Sequence, residues 1–276
     1  MQTFPASFAL FLYQIGLGGL FALAAVPFHE LERGFYKSTA GVLFVAALLS
    51  FVGKLNLYGT PWPGDITLPA SADIIVHLLF VLAFGLYIVS LWGERPRFRA
   101  RSFAFSVLLG TAGLALSSHA FRQAPLWSFE TLLYPVSFLL SALLLGGVTV
   151  GMLIGHWYLI DTVQSIDPFV RIFKFFVYSL ITQAAYLMFL ALALYLLGSA
   201  GTLSGLERLW EMHFFLLSAR VMIAHVGPLL LSYMIWRTLQ IPHTMAATGL
   251  FYVALLGVFV GEILGRQIMA LTSIPF

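Results

Sequence analysis

The sequence of 276 residues contains no cysteine and has little charge. Without cysteine, the chain has no disulfide, no thiolate ligand for an iron–sulfur cluster and no cysteine nucleophile. Any iron–sulfur cluster that works with the chain must therefore be held by a partner. Asp, Glu, Lys and Arg make up only 9% of the residues, whereas soluble domains have about a quarter. The composition excludes an ordinary water-soluble fold.

Long apolar segments recur along the whole chain, and 61% of its residues are hydrophobic. A helix of about 20 apolar residues crosses a hydrocarbon core roughly 30 Å thick. Hydropathy predicts an all-α fold, a polytopic integral membrane bundle forming a single transmembrane domain over residues 1–276. The eight predicted helices cover residues 6–28, 38–58, 73–93, 102–121, 132–158, 172–198, 212–237 and 245–269.

The distribution of Lys and Arg predicts the orientation of the bundle. The first, third, fifth and seventh loops carry the larger group of cations: Arg33, Lys37, Arg95, Arg97, Arg99, Arg101, Arg171, Lys174 and Arg237. The positive-inside rule then places both termini on the periplasmic side of a bacterial cytoplasmic membrane. Because the basic residues serve as a topology signal, we expect contact with lipid and no binding of nucleic acid.

Ionisable residues concentrate in the outer half of the predicted helices, at depths assigned from a rise of 1.5 Å per residue. Such groups are costly in a bilayer, so they normally face the bundle interior and pair with one another. A simple alternative is that they are salt bridges between helices, such as Arg220 with Glu262, or Glu262 with Arg266. The outer set comprises Lys54, Asp73, His77, His119, Arg122, His213, Arg220, Glu262 and Arg266.

This outer set supplies the groups that a quinone site needs. A quinone ring is apolar and has two carbonyl oxygens, which accept hydrogen bonds from histidine or arginine. Oxidation of a quinol also requires a base that takes up protons. We predict Asp73 or Glu262 as that base and His77 as donor or relay. The predicted quinone contacts are His77, His119, Arg220, Glu262 and Arg266. Proton-coupled transporters assemble similar groups and form a third class, although we find no internal repeat.

Haem b is the principal alternative, because it needs two imidazoles at equal depth on facing helices. His77 with His119 would serve on the outer side, and His29 with His156 on the inner side. Glycines at 146, 147, 151 and 155 give the fifth helix a small-residue face that a neighbouring helix or a flat ring could approach. The spacing that marks a diheme cytochrome b is absent from the sequence.

The last two predicted helices resemble a known family. The segment "RVMIAHVGPLLLSYMIWRTLQIPHTMAATGLFYVALLGVFVGEILGR" and its final "GEILGR" are similar to the NrfD, DMSO-reductase-anchor and polysulfide-reductase-anchor membrane subunits. Of the candidate residues, only Glu262 and Arg266 fall in that motif, whereas Asp73, His77 and Arg220 are assigned from depth. The segments that carry His29 and His156 match no anchor motif and keep the haem alternative open.

The resemblance implies a subunit without a redox centre of its own. It would bind menaquinone or ubiquinone near the periplasmic surface, within a multi-subunit respiratory oxidoreductase. Electrons would pass to or from an iron–sulfur or cytochrome c-type subunit docked on that side.

Overall fold

The computed structural model describes residues 4–58, 68–118, 121, 129–161, 164–241 and 243–276, and these residues contain helices but no strand. The helices are α1 (Phe4–Ala24), α2 (Arg33–Tyr58), α3 (Leu68–Ser90), α4 (Pro96–Ser118), α5 (Phe129–Ile160), α6 (Asp167–Leu197), α7 (Ala200–Met212), α8 (Phe214–Val221), α9 (Gly227–Gln240) and α10 (Thr244–Thr272). A π-helical turn, Met222–Val226, joins α8 to α9. Within these described ranges, eight helical segments are long and apolar enough to cross a membrane, with α8 to α9 forming one of them. The predicted all-helical, multi-pass fold is confirmed to this extent.

Three of the helices that begin earlier than hydropathy predicts have charged first turns. The predicted starts were residues 38, 102 and 172, whereas α2 begins at Arg33, α4 at Pro96 and α6 at Asp167. Hydropathy misses these first turns because they are rich in charge. Proline is also well suited to a first turn, since its missing N–H has no acceptor there, and α6 has a proline at this position.

A short helix between the sixth and seventh membrane-spanning segments was not predicted. This helix, α7, is too short to span a bilayer and contains charged residues, so a hydropathy window reads it as a loop. Its buried residues are Gly205 and Leu209. Leu209 packs in a small apolar cluster with Ile268 of α10, and a Cβ at Gly205 would crowd the carbonyl oxygen of Thr272. The helix therefore lies against the end of α10.

Helices α1 and α5 form the centre of the bundle. Their spanning windows are 78% and 72% buried, compared with 22% for the window of the α8 to α9 segment. A Cβ added at Gly18 would overlap the backbone of Ala142, and one added at Gly146 would overlap the backbone of Gly18. The two backbones thus approach closely, as small residues allow within membranes. Gly151, also on the predicted glycine face, accommodates the ring of Phe251 from α10.

The π-helical turn shapes the contact between the seventh and eighth membrane-spanning segments. It directly precedes Gly227 and Pro228, and proline cannot donate the backbone hydrogen bond of a regular helix. The widened turn places Ala224 against Gly261 of α10, where an added Cβ would overlap Ala224. The turn thereby fixes Arg220, two residues before it, beside α10.

Candidate functional site

The predicted outer set separates into two buried groups in the structure. The first, the α3 cluster, consists of Lys54, Asp73 and Ser117. The second, the α10 cluster, has the carboxylate of Glu262 at its centre and also contains Gln14, Ser141, Gln183, Arg220 and Arg266. Each cluster joins side chains from several membrane-spanning helices.

In the α3 cluster, Lys54 donates hydrogen bonds from Nζ to both carboxylate oxygens of Asp73, at 2.9 and 2.8 Å. It also donates to Oγ of Ser117 at 2.8 Å, and the Ser117 hydroxyl donates to Asp73 Oδ1 at 2.7 Å. Each residue comes from a different helix, α2, α3 or α4. The lysine and aspartate side chains are both only 10% exposed. Their opposite charges offset much of the cost of removing each from water.

A small cleft adjoins the α3 cluster. Its volume is about 20 Å³, which is room for roughly one water molecule. The remaining lining is mostly apolar, and Leu57 at the cleft is 38% exposed. The polar lining is supplied by Ser50, Tyr13 and the α3 cluster, and the apolar lining by Ala6, Ala9, Leu10, Leu57 and Phe121. Among the described residues, Lys54 and Asp73 carry the charges that line this cleft.

His77 lies one helical turn after Asp73 but belongs to neither cluster. Its fully buried ring packs against the rings of Tyr13, at 4.4 Å between centroids, and Phe51, at 5.4 Å. Within the described part of the chain, neither ring nitrogen has a hydrogen-bond partner of good geometry. The backbone of Ala47 is the nearby polar group that acts on the ring. A haem ligand needs an open position at one ring nitrogen, and in this structure aromatic rings lie against His77.

In the α10 cluster, the carboxylate of Glu262 is fully buried and accepts hydrogen bonds from three donors. Gln183 donates to Oε1 at 2.7 Å. Arg220 contacts the same oxygen at 3.4 Å, and Arg266 contacts Oε2 at 3.4 Å. The predicted pairs of Glu262 with Arg220 and with Arg266 are therefore both present in the structure.

The two arginines of the α10 cluster are also held by neutral groups. Arg266 donates to Gln14 Oε1 at 2.8 Å, and Arg220 donates to the Gly261 carbonyl at 2.7 Å. A Cβ at Gly265 would overlap the Arg220 guanidinium, so both glycines of "GEILGR" make room for the seventh membrane-spanning segment. Two guanidinium groups face one carboxylate, and, within the described ranges, Nε of both arginines and Nη1 of Arg266 lack a partner.

Helix α1 connects the two clusters. Tyr13 and Gln14 are neighbours in sequence, and their side chains project from different faces of the helix. The Tyr13 ring lies 5.8 Å from the Lys54 ammonium, whereas Gln14 binds Arg266 on the other side. The Tyr13 hydroxyl donates to the Gly110 carbonyl at 2.7 Å. The two clusters thus lie at one level of the bundle, which agrees with their predicted depths.

Several members of these clusters were missed because the prediction considered only ionisable side chains. Gln14 and Gln183 are single amides within apolar stretches, "LYQIG" and "LITQAA". Burial of an amide without a partner is costly, so an isolated glutamine in a membrane helix signals a hydrogen-bonded site. Ser117 carried no comparable signal, since serine recurs throughout α4.

The remaining predicted residues lie elsewhere or outside the described residues. His29 is exposed in the segment between α1 and α2. His156 is exposed near the end of α5, and its Nδ1 lies 3.2 Å from the Tyr252 hydroxyl. His119 and Arg122 fall outside the described residues, so the pairing of His77 with His119 stays a prediction. Among the residues that the structure describes, no three His, Asp or Glu side chains assemble as a metal site.

Comparison with known proteins finds no family model that matches the chain and no curated protein that matches it. The resemblance of "GEILGR" to the anchor subunits therefore stays a prediction.

Proposed function

We propose that this chain is an integral membrane subunit of a respiratory oxidoreductase complex that binds quinone or quinol beside the α3 cluster. In this proposal, both termini face the periplasm of a bacterial cytoplasmic membrane, and the α3 cluster lies near that surface. An iron–sulfur or cytochrome c-type subunit of the same complex exchanges electrons with the bound quinone, which is menaquinone or ubiquinone.

One observation carries the proposal. A carboxylate and an ammonium group, Asp73 and Lys54, stand together in a cleft whose other walls are mainly apolar. Sites for small hydrophobic ligands commonly combine apolar walls with a few convergent polar groups. A carboxylate at such a position is also able to act as a general base. The chemistry of the lining therefore matches a quinone ring.

The size of the cleft sets a condition on binding. Its volume of about 20 Å³ suits a water molecule, so a ring enters only if the walls move apart. Leu57 is partly exposed and Ala6 is half-buried, and movement of side chains at this edge of the cleft is the smallest change that would admit a ring. The lipid surrounding the bundle would take the apolar tail.

Each polar residue of the cleft has a distinct role in this proposal. Bound quinol supplies two electrons and two protons when it is oxidised. Asp73 accepts a proton, Lys54 donates a hydrogen bond to the ring oxygen, and Ser117 holds the carboxylate in place. The protons leave to the nearby aqueous surface, and the electrons leave to the partner subunit. In the reverse direction, the same residues deliver protons.

The α10 cluster has a supporting role in the proposal. Glu262 is fully buried between two arginines, whereas Asp73 lines the cleft in which the ring would bind, so Asp73 is the better placed acceptor for a quinol proton. Through Gln14, however, the cluster fixes α1 and with it the ring of Tyr13 in the cleft. We therefore assign ring contact to the α3 cluster, and structural support of α1 to Glu262, Arg220 and Arg266.

Binding of a fluorescent quinol analogue, a hydroxyquinoline N-oxide, to the purified chain in detergent tests the proposal. We expect Asp73→Asn to weaken binding by about tenfold, because a charge-assisted hydrogen bond contributes roughly 1.5 kcal/mol or more. The double variant Lys54→Gln with Asp73→Asn keeps the site neutral and should also bind weakly. Glu207→Gln, on the exposed face of α7, is the matched control. Unchanged affinity in both α3-cluster variants would overturn the proposal.

A further inference from the structure

A second and larger cavity lies at the other end of the bundle. Its volume is about 370 Å³, and Tyr36, Tyr87, Phe103 and Arg99 line it together with the segment that follows α1. Tyr87 comes fourteen residues after Asp73 on α3, or about 21 Å along the helix. This cavity is therefore separate from the cleft of the α3 cluster.

Arg99 is the charged residue in the lining of this cavity. Its guanidinium stacks on the ring of Phe28, 3.5 Å from the ring centroid. Nη1 is buried and, within the described residues, has no hydrogen-bond partner. Buried donors are rarely left unpaired. The unpaired nitrogen is therefore free to donate a hydrogen bond to a bound acceptor.

The electrostatics of the cavity favour an anion as that acceptor. Arg33 lies close enough for its charge to act on Arg99, and Lys37 stands over Trp92 at the same end of the bundle, 4.7 Å from the ring. Pro96, the first residue of α4, also lines the cavity. The first turn of a helix has free N–H groups and a partial positive charge, which attract anions.

The walls show what kind of anion fits. Most of the lining residues are apolar, among them Leu23, Val26 and Phe103. A free inorganic anion is not stabilised by apolar walls, whereas the acyl chains of a lipid are. A quinone can accept a hydrogen bond from a guanidinium group, but it carries no negative charge to pair with two of them. An ester phosphate with attached acyl chains satisfies both the charge and the apolar lining.

We infer that the cavity lined by Arg99 is a binding site for an anionic phospholipid, whose phosphate is held by Arg99 with support from Arg33. The Nη1 atom of Arg99 donates to a phosphate oxygen, and the first turn of α4 adds its partial charge. The acyl chains lie against the apolar walls. This inference does not depend on quinone binding at the α3 cluster.

Retention of lipid by the purified chain, measured by native mass spectrometry, tests the inference. The probes are dioleoyl phosphatidylglycerol, dioleoyl phosphatidylcholine and inorganic phosphate, each added to delipidated protein in neutral detergent. We expect retention of phosphatidylglycerol to exceed that of phosphatidylcholine, and Arg99→Gln to weaken it by about tenfold, as loss of one charged hydrogen bond implies. The control is Arg97→Gln, because Arg97 is an exposed cation in the first turn of α4 that does not line the cavity.

A second variant fills the cavity without removing charge. Ala100 lines the cavity and is exposed, so Ala100→Trp should fold normally and exclude the lipid. Equal losses in Arg99→Gln and Arg97→Gln would overturn the inference, as would equal retention of the two lipids. Binding of inorganic phosphate as strong as that of phosphatidylglycerol would assign the site to free phosphate instead. Binding of the quinol analogue should remain unchanged in all of these variants.

Discussion

Glu262 shows, at the scale of a single residue, how a charge is accommodated far from water. Its carboxylate is fully buried and receives hydrogen bonds from α6, from α8 and from its own helix. Removing one partner of a buried ion pair leaves the other charges uncompensated, which commonly costs about 3 to 5 kcal/mol. The carboxylate therefore holds the two arginines in place as much as they hold it.

Replacement of Glu262 by glutamine tests this account of the α10 cluster. The change keeps the size of the side chain but leaves Arg220 and Arg266 without a counter-charge, so we expect a loss of about 3 kcal/mol in the free energy of unfolding. Thermal unfolding in detergent, read by circular dichroism, is the measurement. Glu207→Gln on exposed α7 should melt like the natural chain. A Glu262→Gln variant with the same melting temperature would show that the cluster does not stabilise the bundle.

At the scale of helices, the contact between α1 and α5 depends on two glycines. A Cβ at Gly146 would overlap the backbone of Gly18, and backbone atoms cannot move aside as a flexible side chain does. Gly41 and Gly249 lie in α2 and α10, where an added Cβ meets nothing within 4 Å. The four positions thus offer a matched comparison of glycine in crowded and open surroundings.

We expect Gly146→Ala to lower the melting temperature or the yield of folded protein, because overpacking typically costs about 1 to 3 kcal/mol. Gly249→Ala should be neutral or slightly stabilising, since alanine is favoured over glycine in a helix by about 1 kcal/mol. Thermal unfolding of the two variants side by side is the measurement. Similar melting of both would contradict the close approach of α1 and α5.

The sequence predicts the helices better than it predicts their contacts. Apolar length alone identifies the eight candidate spans, and charge cost correctly places Asp73 and Glu262 inside the bundle. Their division into two clusters depends on which face of each helix meets which neighbour. The pairing of helix faces follows from packing around α1, with Tyr13 on one side and Gln14 on the other. Hydropathy carries no information about this pairing. The short helix α7 was missed for the same reason, because tertiary contacts stabilise it.

At the scale of the whole molecule, orientation in the membrane is the feature that connects the site to an aqueous compartment. The proposed orientation follows from the excess of cations in alternate loops. Since the natural chain has no cysteine, single cysteines can be introduced and labelled without background. Glu207 on α7 and Arg97 at the start of α4 are exposed and lie at opposite ends of the bundle.

We expect Glu207→Cys to react with a membrane-impermeant maleimide in intact cells, and Arg97→Cys to react only after the membrane is permeabilised. The reason is that α7 follows a helix which runs outward in the proposed orientation, whereas Arg97 lies in a loop rich in cations. Mass shift of the labelled protein is the measurement. The reverse pattern would place the α3 cluster on the cytoplasmic side and would require protons from quinol to be released there.

The central claim is that a quinone ring binds beside Asp73 and Lys54. Photolabelling of the purified chain with an azidoquinone, followed by peptide mapping, tests it most directly. We predict saturable labelling of α1 near Ala6 and Leu10 or of α2 near Leu57, suppressed by excess unlabelled quinone and shifted to about tenfold higher azidoquinone concentration in Asp73→Asn. Labelling confined to the cavity lined by Arg99, or labelling that does not saturate at all, would contradict the claim.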